Sequence, residues 1–130
     1  MNEAISKRSK ERAHEGMMPC IAAHAVAWET GASPEKVADV LNDLDIRVSQ
    51  CQLGLFGYGP KVEGKSKLVR PMPAIDPHLK ARLEAKAPKG VISCRAVWDI
   101  ADDLRIERFV VGNTADAIGL RIMPCQLKCF

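Results

Sequence analysis

The sequence predicts a mainly helical α+β protein: two similar repeats, each ending in a β-strand, connected by a basic ribbon and a helix. Three observations carry that expectation. The stretch from Cys20 to Phe56 recurs without a gap from Cys94 to Phe130. At a shift of 74 positions, Cys20 falls on Cys94, Ala22 on Ala96, Val37 on Val111, Ile46 on Leu120 and Arg47 on Arg121. The match is strongest at the close, where Cys51-Gln52-Leu53 falls on Cys125-Gln126-Leu127 and Phe56 on Phe130. Such repetition sets the structural unit before any finer pattern does. The second observation is apolar side chains at helical spacing, twice within each copy, and the third is a change to alternation near each copy's end. Together they divide the chain into a polar N-terminal arm (1–18), a first repeat (19–57), a basic ribbon and linker helix (58–90), and a second repeat (91–130).

Within the arm, Lys7-Arg8-Ser9-Lys10-Glu11-Arg12-Ala13 permits a helix but shows no clear apolar stripe, so a mobile or frayed segment is expected. From Pro19 to Thr30, residues Ile21, Ala22, Ala25, Val26 and Trp28 fall at helical spacing, and Gly31 stops the helix. Ser33 is a good N-cap with Pro34 at the first helical position. The helix from Pro34 to Leu44 buries Val37, Val40, Leu41 and Leu44. Ile46 to Phe56 then reads as a strand whose alternation slips around Ser49-Gln50. The second copy slips at the same place, with Pro124 there, and a bulge is expected in both. Gly57-Tyr58-Gly59-Pro60 is a turn, and Lys61 to Arg70 returns as a second strand or basic ribbon. Asp76 and Pro77 open a helix through Lys86, with Leu79 and Leu83 one turn apart.

The second repeat opens on Ser93 as N-cap, with Val97, Ile100, Ala101 and Leu104 as an apolar stripe. A further helix runs from about Glu107 to Ile118 and stops at Gly119. Ala27, Gly31, Ser33, Val37 and Val40 together resemble the helix-turn-helix family: a small residue on the first helix, a corner glycine, a cap, and anchors on the second helix. With the hairpin that follows, the unit looks like a winged helix. The resemblance implies DNA binding and a role in transcription regulation, and it covers about twenty residues. The second copy departs from it, because Arg105 stands where Gly31 stood.

Charge placement tempers that implication. The net charge is +3, and the stretch 58–90 holds 8 basic and 3 acidic residues, so the positive charge lies mainly between the copies. The outward residues of the would-be reading helix are Glu35, Lys36, Asp39, Asn42 and Asp43, whose carboxylates a duplex would repel. The nucleic-acid candidates are therefore Lys61, Lys65, Lys67 and Arg70 on the ribbon, continued by Lys80, Arg82, Lys86 and Lys89. A solvated charged linker explains them slightly better. On the second copy's equivalent face, Phe109 and Val110 look like contact surface, for a homodimer or another protein partner.

Five cysteines complete the inventory. Cys20, Cys51, Cys94 and Cys125 occupy equivalent places, Cys129 is additional, and thiolates suit zinc or iron–sulfur ligation. No Cys-x-x-Cys spacing supports a zinc knuckle, and buried cysteines acting as small hydrophobes explain the repetition as well. His14, His24 and His78 are scattered, and no catalytic triad order or phosphate loop is present. No catalytic residue and no cofactor is called for. No apolar run spans a bilayer and no signal-peptide core follows the charged start, so no membrane contact, a cytoplasmic location and reduced thiols are expected. Three readings stay open: a non-enzymatic regulator or adaptor of winged-helix type, a protein-interaction or dimerisation module, and a cysteine-based metal or redox sensor.

Overall fold

In the computed structural model, which describes residues 2–56, 58 and 68–129, three helix starts are set by the caps the sequence offers. Ser33 accepts from the Lys36 N–H at 3.1 Å, Asp76 from the His78 N–H at 2.9 Å, and Ser93 from the Ala96 N–H at 3.1 Å. The elements run α1 (Asn2–Arg12), β1 (Met17–Pro19), α2 (Cys20–Thr30), α3 (Pro34–Asp43), β2 (Arg47–Ser49), α4 (Pro77–Ala85), β3 (Val91–Ile92), α5 (Cys94–Leu104), α6 (Arg108–Ala117) and β4 (Arg121–Ile122). The mainly helical α+β class is as expected. Among the described residues, no helix is long and apolar enough to cross a membrane.

Each repeat is a strand–helix–helix–strand unit whose two strands pair in parallel. β1 and β2 pair with Met17 opposite Arg47 and Met18 opposite Val48, and β3 and β4 with Val91 opposite Arg121 and Ile92 opposite Ile122. The two registers coincide at the shift of 74. So do the bonds that close them, since the Arg47 N–H donates to Gly16 O and the Arg121 N–H to Gly90 O, both at 2.9 Å. The corner between the helices is also shared. Gly31 sits at φ 71° and Arg105 at φ 56°, both left-handed, so the second copy keeps the turn at the cost of about 1 kcal/mol of strain that glycine avoids.

The repeat reaches further back than the sequence comparison indicates. The segment 1–18, expected as a polar arm, carries α1, packed on α2 and α3 with Ile5 and Ser9 fully buried. The supposed linker helix α4 holds the same place in the second repeat, with Leu79 and Leu83 at the equivalent positions. Arg8 and Arg12 reach Glu29 of α2 at 3.0 and 2.6 Å.

Among the described residues, the strand expected over 46–56 and its counterpart in the second copy are cut short to β2 and β4, and the expected bulge is not formed. Each strand ends where the alternation slips. Gln50 turns to φ 47°, and the equivalent Met123–Pro124 bond is cis. Beyond that point residues 51–56 fold back as a hook, in which the Cys51 N–H donates to Phe56 O at 3.1 Å and the Gly54 N–H to Cys51 O at 3.0 Å. The antiparallel wing is not seen among the described residues, and Lys61 to Lys67 lie outside them.

The hooks are exchanged between repeats. Hook 1 seats on α6, so closely that a Cβ on Gly112 would stand 2.7 Å from Leu53 Cβ, and the Phe109 ring covers Gly54. Hook 2 (125–129) seats on α3, where Lys128 Nζ lies 2.9 Å from Asp39 Oδ1 and where Leu127 and Ala38 line one groove. The two repeats also meet at His24 and Trp98, equivalent positions whose ring centroids are 4.3 Å apart. One hydrophobic cluster runs through both.

Candidate functional site

The exchange of hooks draws the cysteines together. Cys20 and Cys94 are the first residues of α2 and α5, and Cys51 and Cys125 the first residues of the hooks. All four are buried, between 3% and 7% exposed, whereas Cys129 is exposed. Cys20 stands within electrostatic reach of Cys51, Cys94 and Cys125, and Cys94 within reach of Cys125 and Cys51. Cys129 hydrogen-bonds with Cys125. The centre therefore takes two thiols from each repeat and lies at the boundary between them.

Donors face the sulfurs. The Leu127 N–H donates to Cys125 Sγ at 3.3 Å, and Gln126 Nε2 to Cys94 Sγ at 3.7 Å. The Gln52 backbone N–H faces Cys20, and those of Leu55, Leu53 and Gly54 face Cys51. The half-buried glutamines of the repeated Cys-Gln-Leu motif thus bond to the cysteine that opens α2 or α5 in their own repeat, Gln52 through its backbone N–H and Gln126 through its side chain. Burial dominates the titration. It pushes the Cys20 thiol up to about 12 and the Cys94 thiol up to about 11 despite these donors, and it raises Cys51. Cys129 is raised as well, above all by its bond with Cys125. At neutral pH these are protonated thiols, poor nucleophiles and slow to oxidise. Among the described residues no three His, Cys, Asp or Glu side chains are grouped to hold a single metal ion.

The other predicted residues are placed elsewhere. Lys61, Lys65 and Lys67 lie outside the described residues. Arg70 is exposed, its backbone N–H bonded to Asn113 Oδ1 at 2.6 Å and its guanidinium to Val69 O at 2.9 Å. Arg82 pairs with Asp103 at 2.7 Å, while Lys80, Lys86 and Lys89 are exposed. Phe109 is half-buried against hook 1, leaving Val110 exposed beside it. Among the described residues the most exposed large apolar side chain is Trp28 on α2, 88% exposed although it falls in the helical stripe.

His24 is held neutral. Burial, and secondarily Arg108, lower its pKa to about 4. Arg108 also lies 3.8 Å over the Trp98 ring and pairs with Asp102 at 3.2 Å. No family model, curated protein or solved structure matches the chain.

Proposed function

We propose that this is a small, non-enzymatic cytoplasmic regulator or adaptor whose sensing site is the four-cysteine centre, and that it answers to a thiophilic metal species. One observation carries the reading: four equivalent buried cysteines, two per repeat, interact across the boundary between the repeats. A ligand there would tie together the two halves of the molecule, which is what a sensor of this architecture requires. A thiophilic metal can engage such buried thiols because ligation itself displaces the thiol proton. The test is thiol labelling with metal analysis of the folded chain isolated without oxygen. Four protected thiols accompanied by metal are expected. A metal-free folded chain whose thiols and stability ignore thiophilic species overturns the reading.

A second reading, contact with a nucleic-acid backbone through Lys61, Lys65, Lys67 and Arg70, is favoured by the 8 basic against 3 acidic residues of 58–90. It predicts salt-dependent binding to arbitrary duplex DNA that is lost on charge reversal of Lys65, Lys67 and Arg70. No binding at low salt sinks it.

A further inference from the structure

The donors at the cysteine centre exceed what a hydrophobic core needs. A buried thiol is a weak acceptor, and packing alone is served as well by valine or alanine. Here backbone or side-chain N–H groups face Cys20, Cys51, Cys94 and Cys125, from Gln52, from Leu53 to Leu55, from Gln126 and from Leu127. Hydrogen bonds to sulfur are the means by which a protein stabilises thiolate ligands and tunes the group they hold. Cys20 and Cys94 add the first turns of two 11-residue helices, where the backbone dipole favours negative charge.

The arrangement also discriminates between ligand types. One ion needs its ligands to converge on one point, and among the described residues no such group forms. A polynuclear cluster takes one cysteine at each of several irons, so its ligands stand apart around a larger body. A pseudo-symmetric set of two thiols from each repeat suits that demand. Access is present: a cleft of about 350 Å³ opens on Cys125 and Gln126, between Ser93 and Arg95 at the start of α5 and Ser33 and Pro34 at the start of α3.

We propose that Cys20, Cys51, Cys94 and Cys125 ligate a [4Fe–4S] cluster at the boundary between the two repeats. This deepens, and rests on, the reading of the cysteine centre as the sensing site. Cys129 stands outside the ligand set, because its equivalent in the first repeat is Leu55. Loading from a cluster carried by small thiolates is a ligand exchange. Four Fe–Sγ bonds form, four bonds from iron to the small thiolates break, and the four cysteine protons leave on the released thiols, with no electron transferred.

The experiment is anaerobic titration of the full chain with a synthetic [4Fe–4S] tetrathiolate complex, followed by desalting. The expected result is a visible charge-transfer absorption that stays with the protein, with about four irons and about four sulfides per chain. Cys51→Ser and Cys125→Ser lose it, and Cys129→Ser keeps it, folding being checked by far-UV circular dichroism. A wild-type chain that emerges colourless and free of iron overturns the proposal whatever the variants do, and so does full retention in both Cys51→Ser and Cys125→Ser. If the colourless chain instead takes up zinc through the same cysteines, the cluster is excluded while the sensing site stands. If it takes up nothing, both fall.

Discussion

Gly112 shows what a single residue contributes to holding the repeats together. Its missing side chain is the space that Leu53 occupies, since an added Cβ would lie 2.7 Å from Leu53 Cβ and 3.0 Å from the Leu53 backbone. The backbone side of that contact cannot yield cheaply. Gly112→Ala is expected to destabilise the protein by about 1–3 kcal/mol in denaturant unfolding. Its first-repeat equivalent is already alanine, Ala38, so the two docking surfaces are not interchangeable. His24 acts at the same scale through charge. The folded state holds the imidazole neutral, with a pKa lowered from 6.5 to about 4, so between those values the unfolded chain binds more protons. Its contribution is complete above pH 6.5 and is lost as the pH falls toward 4. Melting temperatures recorded across this window should decline on acidification, and the decline should shrink in His24→Phe. Equal slopes in both proteins would assign the effect elsewhere.

At the scale of elements, α1 is the case that separates pattern from structure. Its eleven residues include Ile5 as the one large aliphatic side chain, and Ser9 is buried where the second repeat has Leu83. Because burial on one face is carried by so few apolar atoms, periodicity gives no signal, and the helix reads as a solvated arm. The indicators lie in the second copy: Ile5 aligns with Leu79 and Gly16 with Gly90. Ile5→Ala is expected to cost about 2–5 kcal/mol, measured by chemical denaturation, whereas a dispensable arm would show no change. The helices α2 to α6 and their caps were legible because Ser33, Pro34, Asp76, Ser93 and Gly119 state their ends in local chemistry. The strands were legible only in position. Their pairing is parallel and joins residues some thirty positions apart, as with Met17 and Arg47, which no local pattern encodes. The cysteine centre was half legible: repetition marked the four residues, but their meeting depends on a fold-back after Gln50 and Pro124 that alternation had disguised as strand.

For the whole molecule, duplication has produced a pair of halves that differ where they touch. His24 faces Trp98, Phe109 covers Gly54 where the opposite position offers Lys128 to Asp39, and only the second copy carries a cysteine after its Cys-Gln-Leu motif. These differences sit at the boundary, while the shared features, the corners, registers and closing bonds, lie within each half. Duplicated architecture thus supplies the scaffold, and divergence has accumulated at the junction where the thiols meet.

The exchanged hooks make each half the completing part of the other, so the covalent link between them is needed for stoichiometry more than for recognition. Chain scission within 58–67 should leave two fragments that find one another, because each carries the plug for the other's vacant groove. Co-expressed as separate polypeptides, 1–58 and 68–130 are expected to sediment as a one-to-one complex. Either fragment alone, deprived of its counterpart, should associate with itself as concentration rises.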